Sequence, residues 1–201
     1  FTVIRTTETM TLQTTPFLRL SLAGLLVGAT VLAQAQTKLL PAQSEISFTV
    51  KQMGVPLDGR FRKFDAQMNF DVAKPETSKI AFTVDMGSAT MGSAETDGEL
   101  PKAPWFNTPK FPQATFQSSA VKAMGPGKFE VSGKLNIKGN VRDVVVPVTL
   151  IASGASTTAQ GAFAIKRLAF KVGEGDWADT SMVADEVQIK FKLALSGVGK
   201  F

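Results

Sequence analysis

The chain has 201 residues, 44% hydrophobic and 19% charged, enough apolar material for one sizeable core and too much for a disordered chain. It contains no His and no Cys, which excludes Ser-His-Asp and Cys-His catalysis, zinc sites of the usual nitrogen and sulfur type, and disulfides. The formal charge of +5 is a mild bias that suits loose contact with an anionic membrane surface. Nucleic acid is a poor reading, because the lysines alternate with apolar residues instead of clustering with aromatics.

Residues 1–9 contain no Met, so Met10 reads as the start. A short segment ending in Arg19, an apolar run from Leu20 to Leu32 and the triplet Ala33-Gln34-Ala35 follow. This is the pattern of a secretory leader with cleavage after Ala35. The apolar run is well short of the ~20 residues that a membrane-spanning helix needs. Two units are therefore expected: residues 1–35, upstream residues plus leader, and residues 36–201, one exported domain with 20 basic and 16 acidic side chains.

From residue 36 onward the sequence alternates at period two, which predicts an all-β fold. The first strand is expected over Gln43 to Val50 and the second over Leu57 to Phe70, where the spacing of Phe61, Phe64, Met68 and Phe70 signals a bulge. A third holds Ile80, Phe82 and Val84. The stretch from Gly87 to Pro112 is irregular and carries a short helix near Glu99 and the pair Trp105-Phe106. Strands four to six are expected over Ala114 to Val121, Phe129 to Ile137 and Val141 to Ile151, the last two joined by a Gly139-Asn140 hairpin. Strand seven covers Ala159 to Val172, and strand eight alternates Val187, Ile189, Phe191, Leu193 and Leu195 against Gln188, Lys190 and Lys192. Lys134, Lys138, Lys190 and Lys192 read as outward, solvated positions. Eight strands joined mostly by hairpins suit a sandwich or an up-and-down barrel, and an eight-stranded barrel is either filled by side chains or keeps room for one small ligand.

Chemistry at neutral pH would have to rest on carboxylates. Glu174, Asp176 and Asp179 form the one notable group, in a Gly-rich stretch between strands seven and eight with Asp185 and Glu186 nearby. The spacing does not match an EF-hand loop, and a solvated connection is the simpler reading. The aromatic content is 15 Phe, two Trp and no Tyr. Phe supplies apolar area without a hydroxyl that needs a partner, so alternating Phe either fills a core or lines a site for apolar chains.

Several segments together resemble the YceI family of exported, lipocalin-like proteins: Ile46-Ser47-Phe48-Thr49-Val50; Gly59-Arg60-Phe61 with Phe64 and Phe70-Asp71; Trp105-Phe106 before Phe111-Pro112 and Thr115-Phe116; Gly133 to Gly139; and Lys166-Arg167 leading to Asp185-Glu186-Val187. The likeness runs over residues 38 to 196. It implies an extended eight-stranded antiparallel barrel with a short helix near one end and a hydrophobic tunnel for polyisoprenoid chains such as quinone or polyprenyl tails. By the same resemblance Phe48, Phe61, Phe70, Phe82, Phe116, Ile137 and Phe191 would line the tunnel, Trp105, Phe106 and Trp177 would stand at its mouth, and Arg167 would lie near the head group. Family members often carry His around the first strand, where this chain has Gln43 and Gln52, so a role resting on imidazole has no counterpart here.

The expected function is that of a periplasmic carrier or scavenger of an isoprenoid lipid, bound without a covalent cofactor or metal. Expected partners are the lipid, transiently the membrane surface or a membrane cytochrome b, and a second copy of the chain in a homodimer. Delivery of quinone to a cytochrome b complex is the alternative, since the Gly173 to Asp179 segment resembles a proteobacterial branch linked to such cytochromes. A carboxylate enzyme is the competing class, disfavoured because the side chain best suited to acid-base work at neutral pH is missing.

Overall fold

The computed structural model describes Thr2 and residues 37–201; apart from Thr2, these belong to the compact unit Gln34–Phe201. The expected leader and its cleavage site lie outside the described residues. Alternation becomes one antiparallel sheet of eleven strands: β1 Lys38–Leu39, β2 Glu45–Gln52, β3 Val55–Phe61, β4 Phe64–Asn69, β5 Lys79–Asp85, β6 Ala89–Thr90, β7 Gln113–Gly125, β8 Lys128–Ile137, β9 Asn140–Ser153, β10 Ser156–Lys166 and β11 Val183–Ser196. One short helix, α1 Ala94–Glu99, sits in the irregular stretch before β7.

The spatial order is β4-β5-β7-β8-β9-β10-β11-β2-β3-β6, with β1 also paired to β11. Eleven strands replace the expected eight because β1 and β6 are two-residue additions and the second expected strand breaks at Arg62-Lys63 into β3 and β4. That break lets one stretch of chain serve two neighbours, β3 pairing with β2 and β4 with β5. The sheet therefore curls until its ends meet at this corner, where the Arg62 N–H donates to the Ser88 carbonyl (3.2 Å) and the Asp85 N–H to the Lys63 carbonyl (3.0 Å).

Within the curled sheet, glycine stands where neighbouring groups come too close for a Cβ. The space beside Gly59 is filled by the Phe48 ring, that beside Gly133 by the Gln117 carbonyl and Phe116 ring, and that beside Gly161 by the Pro147 carbonyl and Phe191 ring. Pro147 also has no N–H, and the β9–β10 ladder runs only from Ser156↔Ser153 to Gln160↔Thr149.

Two expected boundaries move. The β8–β9 turn is Lys138-Gly139, both with positive φ (52° and 76°), while Asn140 opens β9. Its side-chain amide donates to the Lys138 and Phe170 carbonyls, so the Asn acts as a brace beside the turn. Strand seven ends at Lys166, because Arg167–Phe170 winds into a 3-10 turn that buries Arg167 and Phe170.

The packed core occupies one end of the barrel. Leu39, Met68, Val121, Phe129, Leu150, Leu193 and Leu195 bury one another there, near the turns joining β4 to β5, β7 to β8 and β9 to β10.

Candidate binding cavity

A cavity runs through the barrel interior, from Val183 and Trp177 at one end to the core residues Phe129, Leu150 and Leu195 at the other. Val50, Phe61, Phe82, Phe116, Ile137, Phe163, Val187 and Phe191 are only half-buried although they alternate inward, because they face this cavity of about 590 Å³. That size falls within the roughly 300–1,000 Å³ usual for small-molecule sites. Along β11 the wall runs from Val183 to Leu195, ~40 Å of extended chain at ~3.3 Å per residue, so the site is elongated. Its wall is apolar apart from Gln52, Glu95, Thr96, Glu99 and Arg167.

The eleven residues singled out from sequence all stand on this wall. Phe48, Phe61, Phe82, Phe116 and Phe191 form an aromatic belt, with Phe48 and Phe61 in ring contact at 5.3 Å between centroids. Phe70 lies deeper, edge-on to Phe129 at 5.2 Å. Ile137, Trp105, Phe106 and Trp177 belong to the end that carries α1, where Trp105 and Trp177 meet at a tilt of 47° with centroids 5.3 Å apart and tie the segment after α1 to the β10–β11 connection. Phe106 reaches down to Phe61, 6.3 Å away. Phe163 and Leu100 also line the cavity; alternation of Phe163 with Ile165 was a readable signal, whereas Leu100 lies in an irregular stretch that has none.

Arg167 needs a different role from the one expected. It is 3% exposed, and its guanidinium donates to five backbone carbonyls: Nε to Ala184, one terminal nitrogen to Val172 and Gly173, the other to Trp177 and Val183. All five N–H groups are thereby used, so Arg167 shapes the connection that carries Trp177 and leaves no donor for a head group. Burial lowers its pKa and the nearby Asp185 raises it, but a guanidinium stays charged at any working pH.

Lys138 is likewise a correction, since it is buried and not solvated. Its side chain is 5% exposed, and Nζ donates to the Ala103 carbonyl (2.8 Å), the Lys171 carbonyl (2.7 Å) and Glu174 Oε2 (2.8 Å). One ammonium thus latches both segments that cap the cavity. Lys134, Lys190 and Lys192 are exposed as expected.

Two of the three carboxylates in the acidic group, Glu174 and Asp179, are spent on structure too. The hydrogen bond from Lys138 holds the Glu174 carboxyl below its usual range, and the Ser181 hydroxyl and N–H do the same for Asp179. Asp97, bonded by Thr90 and the Met91 N–H, is also lowered. Folding favours the ionised form of all three, so their stabilisation is complete above the unfolded values near ~4 and is lost as pH falls through the lower folded values. Denaturant unfolding followed from pH 7 down to pH 3 should show stability falling on the acid side, less steeply in Glu174→Gln than in the wild type. Equal slopes would mean that the Lys138 latch carries no linkage.

The comparisons with known proteins concern this same barrel. A family model described as the YceI-like domain matches residues 38–195. The chain belongs to the YceI-like family. Curated relatives include a UPF0312 protein of Azotobacter vinelandii, 32% identical over 145 residues that cover 68% of this chain and 76% of that one. Another, from Photorhabdus laumondii, is 31% identical over 169 residues, covering 79% and 88%. Among solved structures, Burkholderia cenocepacia BcnA superposes with a TM-score of 0.76 at 46% identity, covering 78% of this chain and 99% of that one. A polyisoprenoid binding domain from Saccharophagus degradans shares the YceI-like fold at 15% identity, with a TM-score of 0.63 and coverage of 81% and 98%.

Proposed function

We propose that this protein is an exported carrier that holds the tail of a long isoprenoid lipid, of quinone or polyprenyl type, in the cavity and moves it through the periplasm. The observation that carries the reading is the elongated cavity walled by apolar side chains, with polar groups only at the end bearing α1. Membership of the YceI-like family supports it, as does the likeness to a domain described as polyisoprenoid binding.

The energetics suit a carrier. Each CH₂ removed from water contributes about 0.8 kcal/mol, so a tail of several isoprene units would never leave if water were the alternative. The alternative is the bilayer. Transfer exchanges one apolar environment for another and costs tail entropy, which leaves the balance near zero and makes loading reversible. Binding is also favoured over catalysis, because Glu174 and Asp179 are taken up by hydrogen bonds from Lys138 and Ser181 and neither lines the cavity.

The test is native mass spectrometry of the gently purified protein, with extraction of any bound lipid and titration with a short-tailed quinone. Val50 pairs with Leu57 and Val187, and all three face the cavity. Val50→Trp should therefore weaken uptake at least about tenfold, the equivalent of ~1.4 kcal/mol, through lost tail volume. A protein that neither retains nor takes up an isoprenoid would end this reading.

A further inference from the structure

The most exposed large apolar residue among the described residues stands beside the rim of the cavity. Met53 is 69% exposed, and Val55 and Met182 near it are 59% and 41% exposed. Met53-Gly54 is the two-residue turn between β2 and β3, and the Met53 N–H donates to the Met182 carbonyl at 2.8 Å, which sets two chain tips side by side. Directly behind them Gln52 pairs with both Val55 and Val183, and Gln52 and Val183 line the cavity.

Met53 breaks two local rules at once. Both turn residues have positive φ, 50° and 82°, the type I′ geometry that favours Asn-Gly and disfavours a long side chain at the first position. The side chain then projects into solvent. Lys138 holds the same position in the β8–β9 turn, with φ 52°, but there the strain is offset by the hydrogen bonds of the latch. The Met53 side chain makes no hydrogen bond among the described residues; only its backbone N–H is bonded. A strained position held by an exposed apolar side chain marks a site that acts outside the fold.

We propose that the Met53–Met182 tip inserts into the lipid bilayer and sets the cavity mouth on the membrane surface. Methionine is long, unbranched and polarisable, suited to an irregular apolar medium. Exposed Lys51 stands two residues before Met53, and residues 36–201 carry 20 basic against 16 acidic side chains, which favours anionic lipid. Asp58 and Asp179, which accept from Thr49 and Ser181, keep their negative charge and oppose anionic lipid, so the apolar contact supplies most of the attraction. The purpose assigned to this docking, exchange of cargo with the bilayer, rests on the carrier reading; the docking itself does not.

The experiment is co-sedimentation of the purified protein with vesicles of phosphatidylethanolamine and phosphatidylglycerol, alongside uptake of a short-tailed quinone presented in detergent. Met53→Ser combined with Met182→Ser should lower vesicle binding about tenfold by removal of apolar area, with detergent-presented uptake unchanged. Met124→Ser is the control: Met124 is 62% exposed but lies at the β7–β8 turn at the packed end, and its loss should change neither reading. Met53→Asn gives the turn its preferred residue, so it should raise the unfolding midpoint while weakening vesicle binding, a combination that a purely structural role for Met53 does not produce. Full vesicle binding by Met53→Asn, or a wild type that ignores vesicles and instead pairs with itself or another protein through this tip, would overturn the proposal and leave the carrier reading intact. Vesicle binding without any quinone uptake would support the docking and overturn the carrier reading alone.

Discussion

Replacing Arg167 with methionine should lower stability by about 3–4 kcal/mol, because five carbonyls that share one buried guanidinium lose their donor together. Methionine fills much of the space, so the loss is one of hydrogen bonding more than of volume. The oxygens belong to Val172, Gly173, Trp177, Val183 and Ala184, the whole connection between the 3-10 turn after β10 and the start of β11. Without a common donor that connection must open to water or rearrange, and Trp177 leaves Trp105. For a domain of this size the effect corresponds to a fall in the thermal midpoint of roughly 10 °C. Arg167→Lys should recover little of it, since an ammonium offers three donors from one point and not a planar fork. Thermal and urea unfolding of the three proteins measure this directly, and a loss under about 1 kcal/mol would show that the connection holds its shape without the guanidinium.

Gly161→Ala should also lower stability, by about 2–3 kcal/mol. Gly161 has no unusual φ; the constraint is space, since an added Cβ would run into the Pro147 carbonyl on the neighbouring strand as well as the Phe191 ring. A ring can swing aside, but a backbone carbonyl moves only if β9 moves with it. Gly59→Ala makes the comparison that decides the cause, for there the nearest atoms all belong to the Phe48 ring. Gly161→Ala should therefore cost more than Gly59→Ala in urea unfolding. It should also weaken quinone uptake, because Val148 and Phe191 on the cavity wall shift with the strands. If the two alanine variants are equally stable, the tight approach of β9 to β10 is not what shapes this corner.

The sequence by itself determined the class of the fold and the facing of most residues. Period-two alternation is a local consequence of the pleat, so it can be read wherever a strand is regular, as along β8 and β11, and it assigned Phe48, Phe116 and Phe191 to the inner face. The absence of His and Cys likewise closed whole classes of chemistry before any coordinates. Alternation falls silent where regular structure stops. Lys138 reads as one more outward lysine at the end of β8, yet a positive-φ turn swings it inward onto Ala103 and Lys171, residues about 35 positions away in opposite directions. The family resemblance puts Arg167 near a lipid head group, yet the 3-10 turn that ends β10 gathers five carbonyls around it. Only the tertiary structure decided that the interior keeps a cavity along its length instead of being filled by side chains. Inward-facing apolar residues give the same alternation in either case. Whether their side chains meet across the axis depends on how far the opposed strands stand apart, which no local pattern records.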